Sequence, residues 1–256
     1  MSDHEFIRTE ARDGLLELTL SRPPLNILNG PMMDELTRAF AEAERNREAK
    51  LLLLRAEGKV FSAGADIDEH RPGKAEAMIE SFHGMFRALH RVPCPTVAYV
   101  HGAALGGGCE LAMGFDMVLA EERAKFGQPE IGLGFLPPVA AALLPGISGW
   151  SRAVELCCSG RPWTAHEALA NGLVLKVFTS DEAEEGLKAF LAPFLQRSPL
   201  ILRLVKKALR GGDDRGFSAR LDAAERIFLE ELMATQDVRE GLAAFDEKRE
   251  PDWKNE

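Results

Sequence analysis

Thr96-Val-Ala-Tyr-Val-His-Gly-Ala-Ala-Leu-Gly-Gly-Gly-Cys-Glu-Leu-Ala-Met113 is the stretch from which the fold can be read. Thr96 to Val100 is a short, continuous apolar run, the mark of a strand covered on both faces. His101 to Gly108 follows as a glycine-rich loop, and Cys109 to Met113 reads as a short helix. A buried strand, a glycine loop and a helix in succession are the parts of an α/β fold.

The same grammar recurs on both sides. Leu51 to Leu54 is a second buried strand, and Phe61 to Asp68 is the glycine-containing loop after it. A helix is expected over Glu76 to Arg91, ended by Pro93 and Pro95. Upstream, Phe6-Ile7 opens one strand, Arg12-Asp13-Gly14 supplies a turn, and Leu16, Leu18 and Leu20 alternate on its hairpin partner. Ser21-Arg22-Pro23-Pro24 breaks that strand, and Pro31 opens a helix with Met32, Met33, Leu36 and Phe40 at helical spacing. Downstream, Met117-Val118-Leu119 and Leu173 to Phe178 read as two more core strands. From Ser180 the pattern is helical almost to the end, most clearly over Ser198 to Arg210 and Leu221 to Met233. The expectation is an α/β core over residues 1–195, carrying the active site, and a helical C-terminal part over 196–256.

Composition narrows the function. The 256 residues include 31 Lys+Arg against 40 Asp+Glu, a formal net charge of −9. Phosphate backbones are bound by clustered basic side chains, and no strongly basic run appears, so nucleic acid is not an expected partner. No apolar stretch of ~18 residues exists to span a bilayer, so no membrane is expected either. Met1-Ser-Asp-His-Glu-Phe6 has no basic segment leading into an apolar one, and no signal peptide is read there. Cys94, Cys109, Cys157 and Cys158 form no CxxC pair, which makes a reducing cytoplasm the simplest compartment.

Several motifs are missing. The chain has no GxxxxGK[ST], no GxSxG, no HExxH and no EF-hand loop. Gly102 to Gly108 lacks the spacing of a dinucleotide loop. Asp66-Ile67-Asp68 suits a helix start better than a metal, because acids there meet the positive end of the helix dipole. The six histidines are scattered and read as surface or structural residues. No metal site is expected.

The two glycine loops can do more than turn the chain. Small residues let a ligand approach the backbone, and one free N–H from each loop can converge on a single oxygen. If Gly107 opens a helix, its N–H also gains from the dipole. Together they would make an oxyanion hole. The plainer reading is a pair of tight turns. Glu110 lies between Cys109 and Leu111-Ala112-Met113, where a carboxylate is costly without a partner or a role. Its plainer reading is a helix-capping glutamate. Glu130, after Phe126-Gly127-Gln128-Pro129, is on its own a loop carboxylate. As a pair they can supply one acid and one base, if their environments separate their pKa values.

At these residues the sequence closely resembles the crotonase superfamily, the enoyl-CoA hydratase/isomerase family. The matching text is Phe61-Ser-Ala-Gly-Ala-Asp-Ile67, Gly102-Ala-Ala-Leu-Gly-Gly-Gly-Cys-Glu-Leu-Ala112, Phe126-Gly-Gln-Pro-Glu-Ile131, Gly172-Leu-Val174 and Glu240-Gly-Leu-Ala-Ala-Phe-Asp-Glu-Lys-Arg249. The resemblance spans nearly the whole chain. It implies a spiral of ββα units with a C-terminal helical part used in trimerisation, and a homotrimer or homohexamer. It implies acyl-CoA thioester substrates and no cofactor beyond the CoA of the substrate. By motif position, Ala65 and Gly107 match the oxyanion-hole donors, and Glu110 and Glu130 match the hydratase glutamates. Lys59, Ala63 and Ile67 match contacts to the CoA nucleotide. Leu25 falls in the other adenine-side segment, where Pro23-Pro24-Leu25-Asn26 is one residue shorter than in some members. Phe245 and Lys248 match positions that reach CoA from a neighbouring subunit.

Both glutamates are present, so the resemblance implies a hydro-lyase adding water across a conjugated C=C. Alternatives are an isomerase of the same superfamily and a non-catalytic acyl-CoA-binding protein. RNA binding, which also occurs in the superfamily, is disfavoured by the charge. One segment departs from the pattern. Where ordinary hydratases carry a glycine-rich turn, this chain reads Gly134-Phe-Leu-Pro-Pro-Val-Ala-Ala-Ala-Leu-Leu-Pro-Gly146. Pro138 can start a helix there, lined with apolar side chains over Val139 to Leu144. The segment is similar to that of hydratases acting on cyclic dienoyl-CoA thioesters, which makes cyclohexa-1,5-diene-1-carbonyl-CoA a candidate substrate.

Overall fold

The computed structural model describes residues 4–210 and 215–254. The first three residues, part of the stretch on which the leader reading rests, lie outside them. Strands β1 (Ile7–Arg12) and β2 (Leu15–Leu20) form the expected hairpin, turned by Asp13 and Gly14, both at positive φ. β3 (Leu51–Ala56), β4 (Thr96–Val100), β6 (Met117–Glu121) and β9 (Lys176–Phe178) continue the sheet in parallel, in the order β1-β2-β3-β4-β6-β9.

The continuous apolar run of β3 has a physical cause, since both faces of the sheet are covered. Leu52 and Leu54 point into the main core, where α1 (Gly30–Arg45) and α2 (Ala75–Arg91) bury Phe40, Phe82 and Phe86. Leu51 and Leu53 point the other way, with Val97, Tyr99 and Leu119, and α7 (Ala183–Leu195) closes over them through Leu187 and Leu191. Asn29 caps α1 by accepting the N–H of Met32 at 3.2 Å, just ahead of Pro31.

A second sheet is the part that periodicity misses. β5 (Ala103–Leu105) pairs in parallel with β7 (Lys125–Gly127), which pairs antiparallel with β8 (Trp163–Thr164). Single bridges extend the layer, Ser62 to Ala104 and Leu28 to Ala65. The first four windings therefore each run a strand through the large sheet, a short extended piece through the small one, then a helix or helical turn. After Leu28 comes α1, and α2 lies beyond Ser62–Ala65. After β5 comes α3 (Gly107–Met113), after β7 the 3-10 turn Pro129–Leu133, and after β8 α6 (Ala165–Ala170). This is the expected ββα spiral. α3 begins two residues earlier than expected.

The departing segment is helical as Pro138 suggests, forming α4 (Pro138–Ser148), followed by α5 (Trp150–Ser159). After α7 come α8 (Pro199–Leu209), α9 (Arg215–Arg226) and α10 (Gln236–Glu247). The expected single helix over Leu221 to Met233 is not one helix. It passes from α9 into a π turn, Ile227–Glu231, and a 3-10 turn, Leu232–Ala234. α9 is held over α4 and α2: Arg220 donates to the Ala142 carbonyl at 2.8 Å, and His83 meets Glu225 at 2.6 Å. The turn that follows buries Phe228.

Candidate active site

The small sheet delivers two backbone amides to one place. The bridge to Leu28 is made by the N–H of Leu28 to the Gly64 carbonyl and of Asp66 to the Leu28 carbonyl, both near 3 Å. A parallel bridge of that kind turns the N–H of Ala65 away from its neighbour strand. Gly107 is the first residue of α3, so its N–H has no partner within the helix. Neither N–H donates to an acceptor among the described residues. The two loops touch here, for a Cβ built on Gly107 would stand 3.1 Å from the nitrogen of Ala65.

Glycine is required beside them. Gly64 has φ +108, and a Cβ there would meet the Leu105 carbonyl at 2.9 Å. Gly106 has φ +51 and ψ −128, a conformation other residues avoid. Its missing side chain leaves the space that the Glu130 carboxylate fills, 3.2 Å from where a Cβ would sit.

Both glutamates face this point. Glu110, 2% exposed, accepts the N–H of Ala140 at 2.8 Å. Its bond is to the first turn of α4 and not to the start of its own helix, which removes the capping explanation. Glu130 rides the turn after β7, and its Oε2 is buried without a hydrogen-bond partner. The plain solvated-loop reading therefore does not describe it. Burial raises the pKa of Glu110, against the backbone N–H groups of Ala140 and Val139, which lower it. Burial also raises Glu130, and the charge of Glu110 raises it further. The pair thus tends to hold one proton between them near neutral pH. The thiol of Cys109 is pushed well up and that of Cys157 to about 12, both first by burial and then by these carboxylates. Neither thiol is an available nucleophile.

Ala63, Ala65, Ile67, Gly107, Glu110 and Glu130 line one cavity of about 300 Å³. Leu25, Lys59, Phe245 and Lys248 are exposed and lie outside its wall. Leu25 is tied to it through its carbonyl, which accepts the N–H of Ala63 at 2.9 Å. Arg71, just after the turn that carries Ile67, makes two bonds to Asp246, next to Phe245 in α10. Asp66 caps that turn by accepting the N–H of Asp68.

The cavity wall also includes His70, Phe82 and Phe228, which the sequence reading did not single out for the site, and part of the departing segment, which it did. The departing segment thus contributes Phe135, Leu136 and Pro138, while Val139, Ala140, Ala142 and Leu144 are buried in the core. Of the six histidines set aside, His70 faces the cavity. Its place three residues after Ile67 was the available signal. Phe228 had none, because only the packing of α9 brings it here.

The family model for enoyl-CoA hydratase/isomerase matches residues 10–256. The chain belongs to this family. It is 39% identical to the cyclohexa-1,5-dienecarbonyl-CoA hydratase of Thauera aromatica, over 95% of each chain. It is 37% identical to a probable enoyl-CoA hydratase of Mycobacterium bovis, over 98% of each. Among solved structures, an enoyl-CoA hydratase/isomerase from Pseudoalteromonas atlantica superposes with TM-score 0.88 at 29% identity, over 97% of this chain and all of that one. The crotonase-type fold expected from the motifs is the fold observed. The relatives also bear the expected enzyme class, a hydro-lyase of the enoyl-CoA hydratase type.

Proposed function

We propose that this enzyme of the enoyl-CoA hydratase type adds water across the conjugated C=C of an enoyl- or dienoyl-CoA thioester, with Glu110 and Glu130 as its acid–base pair. The observation that carries this reading is the meeting in one cavity of two unpaired amide donors, the buried carboxylate of Glu110 and the part-buried one of Glu130. The thioester oxygen accepts the N–H groups of Ala65 and Gly107, which draws electron density from the alkene. The ionised glutamate takes a proton from water as the water attacks the electron-poor carbon. The protonated glutamate delivers its proton to the α-carbon of the enolate. One oxyanion-hole donor is worth ~3–4 kcal/mol of barrier, and a positioned acid or base ~10²–10⁴ in rate. CoA enters as part of the substrate, and the reaction needs no other cofactor.

The acyl group we propose is a cyclic diene, cyclohexa-1,5-diene-1-carbonyl. Support comes from the Thauera aromatica relative and from the departing segment, which sets Phe135, Leu136 and Pro138 on the cavity wall. Leu25, Lys59, Ala63 and Ile67 would hold the CoA, with Phe245 and Lys248 serving the neighbouring copy's ligand. That assignment implies an oligomer, which we propose to be a homotrimer or homohexamer. The exposed apolar face of α8, Leu200, Ile201, Leu204 and Val205, suits contact between copies. No helix among the described residues is long and apolar enough to cross a membrane, and cytoplasmic localisation is our proposal.

The test follows loss of ultraviolet absorbance by the conjugated thioester. Crotonyl-CoA and cyclohexa-1,5-diene-1-carbonyl-CoA are run side by side, with Glu110→Gln and Glu130→Gln as controls. Fast reaction of the diene, lost in both variants, is the expected result. Reaction of crotonyl-CoA alone removes the cyclic substrate. An isomerised product carrying no solvent oxygen removes hydration.

A further inference from the structure

The proposed mechanism leaves one polar side chain of the cavity unused. His70 ends the 3-10 turn Ile67–His70, and its Nδ1 lies 2.8 Å from the carbonyl oxygen of Asp66. A carbonyl only accepts, so Nδ1 carries the proton. In the neutral ring Nε2 is then a pure acceptor. Burial holds the imidazole's pKa below its ordinary value, against the pull of Asp66, and so favours that neutral ring. The ring cannot easily turn. It packs edge-on against Phe135 at 4.9 Å between centroids and tilts against Phe228 at 6.3 Å.

With Nδ1 on the backbone, the opposite edge of the ring is left to the cavity. No donor among the described residues reaches Nε2. Apart from Glu110 and Glu130, whose protons the proposed mechanism uses, the side chains that line the cavity with His70 have no N–H or O–H to offer. An acyl group of hydrocarbon alone would leave this acceptor dry and unpaired, which costs free energy. An acyl group with a hydroxyl would satisfy it.

We propose that Nε2 of His70 is the specificity-determining acceptor of the acyl pocket, selecting cyclic acyl groups that carry a ring hydroxyl over the unsubstituted ring. The proposal rests on the acyl-CoA reading above and deepens it: the bare cyclic diene is the simplest member of the substrate class and a hydroxylated ring is the preferred one. Sites built to hydrogen-bond a hydroxyl reject analogues lacking it more strongly than apolar pockets reject a missing methylene.

Saturated thioesters separate binding from turnover. Dissociation constants are measured by calorimetry for cyclohexanecarbonyl-CoA, its 3- and 4-hydroxy derivatives and 4-oxocyclohexanecarbonyl-CoA. At least one hydroxylated ester should bind about tenfold or more tighter than the plain ester, the gain of one buried hydrogen bond. The ketone, which brings no donor, should gain nothing. His70→Phe and the more adaptable His70→Met should abolish the preference while binding the plain ester at least as well as the wild type. A wild type that binds every hydroxylated ester no better than the plain one overturns the proposal, as does a preference that survives in either folded variant. Failure to bind any of these esters overturns the cyclic-acyl reading and this proposal together. Hydroxyl selectivity in a protein that hydrates neither thioester of the rate assay leaves this proposal standing and removes hydration.

Discussion

The two parts of the cavity that we propose as its catalytic and acyl ends are built on opposite principles. The catalytic end is backbone and short range. Ala65, Gly106 and Gly107 are small because main chain must approach main chain, and each glutamate rides the turn or helix that follows its own piece of the small sheet. The acyl end is side chain and long range. His70, Phe135 and Phe228 come from three separate segments and meet only through their rings, at 4.9 to 6.3 Å between centroids.

The sharpest way to break this contrast is to remove charge at the catalytic end. Glu110→Gln and Glu130→Gln keep the side-chain volume and abolish proton transfer. Each should lower kcat by ~10²–10⁴ with a much smaller change in KM. A loss confined to KM would mean that the glutamates hold the substrate and do no chemistry. Next in size is Gly106→Ala. The new methyl would sit 3.2 Å from Oε2 of Glu130, on a backbone at φ +51. Displacing the carboxylate should lower kcat about ten- to a hundredfold, since a shift of ~1 Å in a positioned group has that scale of effect. Unchanged steady-state rates would show that the carboxylate has slack there.

These two ends were not equally legible. Gly64, Gly106 and Gly107 stand out because they follow apolar runs, and Glu110 because an acid interrupts one. The large sheet was legible for the same reason, as Leu51 to Leu54 can sit only where both faces are covered. β5 falls inside the glycine loop read over His101 to Gly108, and β7 and β8 went unread, because two or three residues carry no period. The partner of Glu110 was hidden too, since a backbone N–H of Ala140 leaves no mark on residue type. Phe228 fits the helical repeat of Leu221 and Ala224, so its burial was legible but its destination was not. The π turn that aims it at the cavity is a property of how α9 docks on α2 and α4.

Phe228 therefore tests the acyl end. Phe228→Ala removes a ring that is stacked on Phe135 at 6.0 Å and is almost wholly buried. A truncation of this kind costs ~3–5 kcal/mol of stability where the site cannot collapse. The enlarged end should shift the kcat/KM ratio about tenfold toward bulkier thioesters, a change on the scale of a methylene or two of pocket contact. The solvent-derived hydroxyl should still appear in the product. A fall in rate shared equally by small and large acyl groups would mean that Phe228 supports the catalytic end as well.

The smallest expected effect connects the catalytic end to stability. Both glutamates have pKa values raised above the ordinary 4.5, first by burial. From that ordinary value up through the raised ones, the folded protein binds more protons than the unfolded chain. Stability must then fall as pH rises across the window. A glutamine titrates in neither state, so Glu130→Gln escapes that loss. Its buried amide adds an offset, favourable or not, that is the same at every pH. The melting temperature of the variant minus that of the wild type should therefore grow between pH 5 and pH 8, by ~2–4 °C for each kcal/mol of relieved strain. Glu110→Gln should grow less, because backbone N–H groups from α4 already stabilise its ionised form. A difference that stays flat with pH would mean that the carboxylates titrate as exposed ones do. The shared proton on which their acid–base roles depend would then be absent.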